Sequence, residues 1–349
     1  MAIKSVRELA RSLGLSHTTV SDALRNNPRV KEETRQRVLQ AADEAGYQYN
    51  PLAGALMSEM RRSGVGTFRG VVAIVDLEDA HQRPSTAQIY HRQVVRGATT
   101  AAHNLGFKTE IFVLGRDHLS IERLSTILKS RGIRGVFLLP AGNSPDIQNL
   151  DWDHFAGIYS DYIIERPGLN SVCSDHFRSM VIALRRLDEL GYRRPGVVLH
   201  DMHDRRLLYR WEAAFRTFHE HNDCFDNIPP LIVGDLNQEA FTQWFLRERP
   251  DVVMAHNSAI IEWMEAAGAR VPHTHGYCSL NVWTSSVEVA GLDLRPQMIG
   301  MRAMEQLIAQ LHRNEYGVPE TPSTTTIPAG WKQGPTLVAQ VDERICAAV

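Results

Sequence analysis

The sequence predicts a small helical unit followed by a large α/β unit, in which doubly wound parallel sheets form two lobes. Three observations predict this fold class. The first 45 residues carry apolar side chains at helical spacing in three short segments, apolar runs alternate with helical segments from Gly70 onward, and 349 residues exceed one ordinary domain. We therefore expect two units of unequal size.

The first two helices are predicted on either side of a turn at Gly14. Ser5 is the expected N-cap of the first, whose inward residues follow an i, i+3, i+4, i+7 pattern: Val6, Leu9, Ala10 and Leu13. Ser16 is the expected cap of the second, whose inward residues are Val20, Ala23 and Leu24. The run Asn26-Asn27-Pro28 then interrupts the pattern, so the second helix ends there.

A third helix is predicted from about 31 to 45, with Val38, Ala41, Ala42 and Ala45 inward and Gly46 at its end. The next segment contains one amphipathic piece, Pro51 to Met60, which is too short to hold a helix unaided. The Arg- and Gly-containing residues 61–66 are predicted to form a linker.

The remainder is predicted as a repeated strand–helix alternation. The first series of strands is VVAIVD, TEIFVLG, RGVFLLP and HFAGIYS, with helices near 89–105, 119–131 and 176–190. The second is PGVVLH, PPLIVGD, DVVMAH and HGYCSLN, with helices near 205–221, 238–248 and 258–268. Two successive series predict two lobes with a cleft at the carboxyl ends of the strands.

Charge and cysteine usage restrict the class of protein. The net charge is −2, but residues 1–62 hold ten Lys/Arg and seven Asp/Glu, so a basic head precedes an acidic body and DNA binding by the head alone is permitted. The four cysteines have no C-x-x-C spacing, which favours reduced, packed thiols. Because MAIKSVRELA contains no apolar signal segment and no run approaches a membrane span, we expect a cytoplasmic protein without membrane contact.

Two helices joined by a short glycine-containing turn indicate a helix-turn-helix, whose second helix enters the major groove of DNA. A plain three-helix bundle with a polar face is the alternative. The matching strings VRELARSLGLSHTTVSDALRN, RVKEETRQRVLQAADEAGY and YQYNPLAGAL decide between them, because together they resemble the LacI/GalR family of bacterial repressors. The resemblance runs through the whole head and continues more weakly to about residue 336.

The resemblance implies a division of labour in the head. His17 and Thr18 stand at the base-reading pair, and Asp22 stands where many members carry a base-reading arginine, so the operator of familiar members is not transferable. The implied phosphate-anchoring residues are Ser5, Ser16, Thr19, Ser21 and Asn26, with Arg25 and Arg29 adding charge.

The segment after the head resembles the family's minor-groove hinge helix. Leu56 matches the leucine that wedges between base steps, and Ala53 matches the small residue that permits close approach. A core leucine of a short connector is the alternative for Leu56. Two such segments on paired half-sites imply a homodimer on a pseudo-palindromic operator.

The body resembles the family's regulatory domain, a two-lobed fold shared with periplasmic sugar-binding proteins (type I), anchored on LNSVCSDHFRSMVIALRRLDELGYRRPGVV. The implied organisation is 1–46 for DNA binding, 47–68 for hinge and linker, and 69–340 for effector binding and dimerisation. Within the last, 69–161 and 283–316 are expected in lobe 1, and 162–282 and 317–340 in lobe 2.

The resemblance also places effector contacts at strand ends. The candidates are Asp76, Asp175, Arg210, Trp211, His256, Asn257, Asn281 and Gln297. Acids, amides and an aromatic face suit a sugar or sugar derivative, although two aspartates of the family pattern are amide or serine here. The alternatives are a salt pair for Asp175 and Arg210, helix packing for Trp211 and a core position for His256.

Other chemistry finds little support in the sequence. The histidine clusters HDMHD at 200–204 and HTH at 273–275 lack metal-site spacing and are interpreted as loop histidines, so neither metal nor cofactor is expected. An enzyme would need a catalytic constellation that the sequence does not contain. A small-molecule binding protein without DNA function, or a corepressor-dependent regulator without sugar specificity, is the alternative to an effector-controlled repressor, but a binding protein leaves residues 1–60 unexplained.

Overall fold

The computed structural model describes residues 6–24, 27–44, 68–79, 83, 85–115, 119–141, 147–161 and 166–340. The chain divides into a small unit, Met1–Thr67, and a large unit, Phe68–Val349. In the small unit, the described helices are α1 (Val6–Leu13), α2 (His17–Leu24) and α3 (Glu32–Glu44). These agree with the predicted helices to within a residue or two at each end.

The small unit is held together by the predicted inward side chains. Leu9, Ala10, Val20, Ala23 and Val38 form its buried core, together with Ala42. Gly14 takes a positive φ of 65°, where a side chain would be strained, so the chain turns sharply between α1 and α2.

The large unit contains two six-stranded sheets. Its strands are β1 (Gly70–Asp76), β2 (Phe107–Val113), β3 (Gly135–Leu138), β4 (Ala156–Ser160), β5 (Asn170–Ser174), β6 (Pro195–His200), β7 (Leu231–Val233), β8 (Val252–Ala255), β9 (Gly276–Ser279), β10 (Ala290–Asp293), β11 (Thr324–Ile327) and β12 (Gly330–Lys332). Its helices are α4 (Ser85–Asn104), α5 (Ile121–Ser130), α6 (His176–Glu189), α7 (Asp201–Arg206), α8 (Arg210–His221), α9 (Gln238–Glu248), α10 (Ile260–Ala266) and α11 (Pro296–Arg313).

Each sheet is parallel except at one edge of the second. The first sheet has the order β11-β5-β4-β3-β1-β2 and the second β12-β10-β9-β8-β6-β7, with β12 antiparallel to β10. The first sheet and the helices packed on it form the first lobe, and the second sheet and its helices form the second lobe. The doubly wound fold class predicted from the alternation of apolar runs is confirmed.

The lobe boundaries differ from the predicted ones. Residues 170–174 and 324–327 belong to the first sheet, whereas 290–293 belong to the second, so the expected divisions after 161, 282 and 316 were wrong. The reason is pairing: β5 completes the parallel ladder beside β4 before the chain crosses, and β11 then pairs with β5.

Two glycines let α4 and α11 pack closely in the first lobe. A Cβ at Gly300 would lie 2.0 Å from the Val94 carbonyl oxygen, and one at Gly97 would lie 2.0 Å from that of Gln297. Because the backbones touch at both points, the two helices form one block behind the first sheet.

Candidate functional site

In the small unit, one side of α2 is buried and its first turn includes the exposed residue Thr18. The Ser16 Oγ accepts a hydrogen bond from the Thr19 backbone N–H at 3.0 Å, which confirms Ser16 as the cap of α2. Val20 and Ala23 anchor the opposite side of the helix in the core. Among the predicted contact residues, Thr18 is exposed, and Thr19, Ser21 and Asp22 are partly buried.

The capping geometry restricts two of the predicted phosphate-anchoring residues. The Ser16 and Thr19 hydroxyl oxygens lie 2.8 Å apart, so one hydroxyl donates to the other. Only one of these two O–H groups therefore remains to donate to a phosphate, and the pair acts as a single anchor.

The segment after α2 is a tight turn. The Asn27 Oδ1 accepts from the Arg29 backbone N–H at 3.1 Å, and the Arg29 side chain is exposed as a phosphate contact requires. The Arg37 guanidinium on α3 donates to the Leu13 carbonyl at 3.0 Å and satisfies the carboxyl end of α1. The remaining DNA-contact predictions, on Ser5, Arg25, Asn26, Ala53, Leu56 and the side chain of His17, lie outside the described residues.

The large unit encloses a cavity of about 750 Å³ between its two lobes. Its polar lining comes from the carboxyl ends of strands: Asp161 after β4, His200 at the end of β6, His256 and Asn257 after β8, and Asn281 after β9. In doubly wound sheets, ligands bind outside the carboxyl ends of the strands. The predicted residues His256, Asn257 and Asn281 are therefore brought together at one cavity.

Asp161 is the buried acid of the first-lobe wall. Its backbone takes a φ of 66°, and Oδ1 accepts from the Ser174 backbone N–H at 3.2 Å and the Ser174 hydroxyl at 2.9 Å. Burial raises the pKa of this carboxyl to about 6, against the opposing effects of the Tyr90 and Ser174 hydrogen bonds and the Arg206 charge. A left-handed, desolvated carboxyl at a strand end is typical of a ligand site.

The second-lobe wall is an array of aromatic rings. The His203 and His256 rings meet edge to face at 4.7 Å, the Trp211 ring lies 5.4 Å from His256, and His176 lies 5.1 Å from Trp211. His176, His203 and His256 line the cavity, whereas Trp211 is fully buried behind them. These side chains are held by the start of α6, by α7 and by the end of β8.

Desolvation keeps this wall uncharged. Burial, aided by neighbouring basic groups, lowers the pKa of His176 to about 3 and that of His203 to about 4, and it lowers the pKa of His256 well below its ordinary value. His91, on the first-lobe side, is also held at a pKa of about 4, mainly by burial. The imidazoles of His91, His176, His203 and His256 are therefore neutral near pH 7.

Asp204 holds α7 and α8 in place beneath this wall. Its carboxylate is 1% exposed and accepts from the Trp211 backbone N–H at 3.1 Å and from that of Glu212 at 3.3 Å. It thereby satisfies the backbone N–H groups at the start of α8. Arg206, on the last turn of α7, lines the cavity and donates to the Ala141 carbonyl of the first lobe at 2.9 Å.

The two cavity amides present their NH₂ groups. The Asn257 Oδ1 accepts from the Ala259 backbone N–H at 3.0 Å, and the Asn281 Oδ1 accepts from the Trp283 backbone N–H at 3.2 Å. Each oxygen thus has one lone pair engaged, whereas the NH₂ group of each side chain can donate to a ligand.

Five predicted effector contacts do not line the cavity. The Asp76 carboxylate is paired with the buried Arg83 guanidinium, and the Asp175 carboxylate caps α6 through the Arg178 N–H at 2.9 Å. The Arg210 guanidinium lies 3.9 Å from the Cys173 Sγ. Two others have packing roles: Trp211 lies behind the histidines, and the Gln297 amide donates to the Gln93 oxygen at 2.6 Å between α11 and α4.

Several cavity residues escaped the sequence analysis. Asp161, Tyr90, His91, His176 and Arg206 line the cavity, as do His200 and His203, which were interpreted as loop histidines. The signal for Asp161 was present, because it directly follows the apolar run HFAGIYS. Within the described residues, no group of three or more His, Cys, Asp or Glu side chains is arranged to hold a metal ion.

Comparison with known proteins bears on the small unit first. Residues 5–50 match the family model described as bacterial regulatory proteins, lacI family. Over these residues the chain is similar to the members of that family. It is 26% identical over 329 residues to the HTH-type transcriptional regulator GntR of Pseudomonas aeruginosa, a match that covers 89% of this chain and 90% of the relative. Along most of its length, the chain therefore resembles HTH-type transcriptional regulators, and the proteins that it matches are regulators.

Solved structures of transcriptional regulators share the fold of this chain. The transcriptional regulator CelR–cellobiose complex matches with a TM-score of 0.57 and 18% identity, covering 96% of this chain and all of that chain. The lac repressor dimer bound to operator and the anti-inducer ONPF matches with a TM-score of 0.54 and 17% identity, covering 95% and 98%. No described helix of the chain is long and apolar enough to span a membrane.

Proposed function

We propose that this regulator is a cytoplasmic, nucleoid-associated repressor whose DNA binding is controlled by a small effector, a sugar or sugar derivative, held in the cavity of the large unit. The observation that carries the proposal is the cavity itself, which gathers buried acid, amide and imidazole side chains at the carboxyl ends of strands from both sheets. A site of this composition binds hydroxyl groups by hydrogen bonds. The sugar class is also supported by the cellobiose named with the CelR structure.

On DNA, α2 enters the major groove and two copies of the chain bind a pseudo-palindromic operator as a homodimer. Thr18 and His17 read base edges, and the Ser16–Thr19 pair, Ser21 and Arg29 anchor phosphates. Asp22 replaces a guanine-directed arginine with a group that accepts from cytosine. The hinge segment 47–68, with Ala53 and Leu56, follows the recognition unit into the minor groove.

Effector control operates by linkage. An effector that binds one lobe arrangement more tightly shifts the population of the dimer toward it and so changes its affinity for operator DNA. Arg206 lines the cavity and donates to the Ala141 carbonyl of the opposite lobe. A ligand that engages Arg206 therefore acts on a contact between the lobes.

The DNA-binding proposal is tested by selecting sites from random DNA with the full chain. We expect a pseudo-palindromic site, and we expect Thr18→Ala to change the preferred half-site, whereas Gln40→Ala on α3 leaves it unchanged. Affinity for the selected site should fall steeply with salt because phosphate contacts release counterions. The same site from the Thr18 variant would contradict the base-reading role, and no enriched site would contradict the proposal as a whole.

The effector proposal is tested by thermal shift against sugars, sugar acids and nucleobases, followed by operator binding with each hit. A hit should raise the unfolding temperature and change operator affinity, because it binds one arrangement of the lobes preferentially. The direction of that change distinguishes an inducer from a corepressor. A ligand that binds the cavity without any effect on operator affinity would contradict effector control.

A further inference from the structure

The cavity has two chemically different walls. The imidazole wall, in the second lobe, consists of His176, His203 and His256, backed by Trp211. The opposite wall, in the first lobe, carries Asp161 with the Tyr90 hydroxyl beside it. A ligand that fills the cavity contacts both walls.

The imidazole wall holds buried polar atoms that the described part of the protein does not satisfy. The His176 Nδ1, the His256 Nε2 and the Trp211 Nε1 are each buried without a hydrogen-bond partner among those residues. A buried polar group without a partner costs about 1–3 kcal/mol. The Trp211 N–H lies behind the wall, but His176 and His256 line the cavity, and a neutral imidazole can donate a hydrogen bond to a ligand. Arg206 lines the same cavity and can only donate, so this side of the cavity favours a ligand group that accepts hydrogen bonds.

The charges near the imidazole wall are basic. Burial is the main cause of the low pKa of each ring. Arg210 and His203 lower the pKa of His176 further, and Arg206 and His200 lower that of His203. For His256 the added effect comes from His203 and His176. Because the rings are neutral near pH 7, the positive charges beside the wall are the Arg206 and Arg210 guanidiniums, and these attract an incoming negative charge.

Among the described residues that line the cavity, only one carboxylate is buried. Asp161 is on the first-lobe wall, where burial favours its neutral form, and Asp235 and Glu262 are both exposed. A protonated Asp161 can donate to, and an ionised one can accept from, a ligand hydroxyl. The two walls therefore suit the two ends of one molecule that carries an acidic group and hydroxyl groups.

We propose that the effector is a polyhydroxylated oxyanion, a sugar acid or sugar phosphate, whose acidic group lies against the imidazole wall and Arg206 and whose hydroxyl groups lie toward Asp161. This inference rests on the proposed effector function of the same cavity and names its ligand class. Carboxylate and phosphate share the chemistry that the wall recognises, because both present several acceptor oxygens and a negative charge.

Matched pairs of compounds test the proposal by titration calorimetry on the full chain. The pairs are gluconate with glucitol, galactonate with galactitol, glucuronate with glucose, galacturonate with galactose, and glucose 6-phosphate with glucose. For any pair that binds, we expect the acid to bind at least about tenfold more tightly than its uncharged counterpart, because charge-assisted hydrogen bonds are the stronger ones. Binding of the carboxylates alone, or of the phosphate alone, would show which of the two acidic groups the cavity accepts.

Variants locate the acidic group in the cavity. His203→Gln and His256→Gln should weaken binding of the acid by about tenfold or more, and binding of its uncharged counterpart by less than about twofold. His221→Gln, exposed on α8, is the matched control and should change neither. Asp161→Asn should weaken binding of both members of a pair, because Asp161 contacts the hydroxyl groups that both members carry. If a histidine variant fails to fold, the comparison within pairs on the unaltered protein still decides.

Three results overturn the inference: equal or tighter binding of the uncharged members, no binding by any member, or equal losses for acid and counterpart in the histidine variants. Operator binding is measured separately. A chain that binds its selected operator and responds to an uncharged sugar refutes the oxyanion class alone. A chain that binds an acid in the cavity without any change in operator affinity refutes effector control.

Discussion

Asp204→Ala should destabilise the large unit because a single carboxylate completes the start of α8. Its two oxygens accept from the Trp211 N–H at 3.1 Å and the Glu212 N–H at 3.3 Å, and both belong to the first helical turn, which has no internal acceptor. Burial raises the pKa of Asp204, against the opposing effect of these two hydrogen bonds. Losing both should cost about 2–4 kcal/mol.

Asp204→Asn sharpens the test, because asparagine keeps the volume and one acceptor oxygen. We expect it to cost about 1 kcal/mol, as one hydrogen bond is lost. Asp201→Ala is the matched control on the same helix. Its carboxylate is paired with Arg205 at 3.0 Å near the surface, and its removal should cost less than about 0.5 kcal/mol.

The assay is urea unfolding of the full chain followed by tryptophan fluorescence. All six tryptophans lie between residues 152 and 331, so the signal reports the large unit alone. A loss below about 1 kcal/mol for Asp204→Ala, or equal losses for the alanine and asparagine variants, would refute the reasoning that acceptor number determines the cost.

The remaining predictions concern acid stability, close packing and the hinge. His176 has a folded pKa of about 3 against about 6.5 unfolded, so its stabilisation is complete above pH 6.5 and is lost as pH falls. His176→Gln should remove about 2 kcal/mol of the loss that urea unfolding measures between pH 7 and pH 5; an unchanged slope would contradict this. Gly300→Ala should cost about 3 kcal/mol because its Cβ meets the Val94 carbonyl, whereas Gly234→Ala, with nothing within 4 Å, should be near neutral; similar costs would contradict the close contact. Leu56→Ala should weaken specific operator binding far more than non-specific binding in a gel-shift titration, and equal losses would contradict a wedge.

The order of helices and strands could be predicted from the sequence, because burial of one face places apolar residues at a regular spacing. Apolar runs such as VVAIVD and DVVMAH became central strands, and the cap at Ser16 and the turn at Gly14 formed where the residue types require them. His256, Asn257 and Asn281 reached the cavity because each follows such a run closely. A strand end is a local feature that the sequence displays.

The sequence does not show which strand-end carboxylates are free to face the cavity, because that depends on their hydrogen-bond and ion-pair partners in the fold. Asp161 and Asp175 both follow buried strands, yet α6 begins directly after Asp175 and takes its carboxylate as a cap. Asp76 is taken by Arg83, seven residues away in sequence. These competing partners are determined by the folded chain. Asp161 faces the cavity because, among the described residues, neither a helix start nor an arginine takes its carboxylate.

The cavity residues on α7 were missed because one helix was expected over 205–221. The structure has two helices, separated by Leu208 and Tyr209 with φ values of 56° and 57°. Neither residue is a glycine or proline, so the sequence carries no signal for the break. The break separates α7, which brings His203 and Arg206 to the cavity, from α8, which places Trp211 behind the wall.

Arg206 has a consequence for how this regulator changes over evolution. One guanidinium both lines the ligand cavity and donates to the Ala141 carbonyl across it at 2.9 Å. Under the proposed effector control, a substitution at position 206 that alters ligand preference also alters the energetic balance between lobe arrangements. Specificity and response are therefore inherited together at this position, and a lineage that acquires a new ligand through residue 206 has to readjust its switching threshold at other sites.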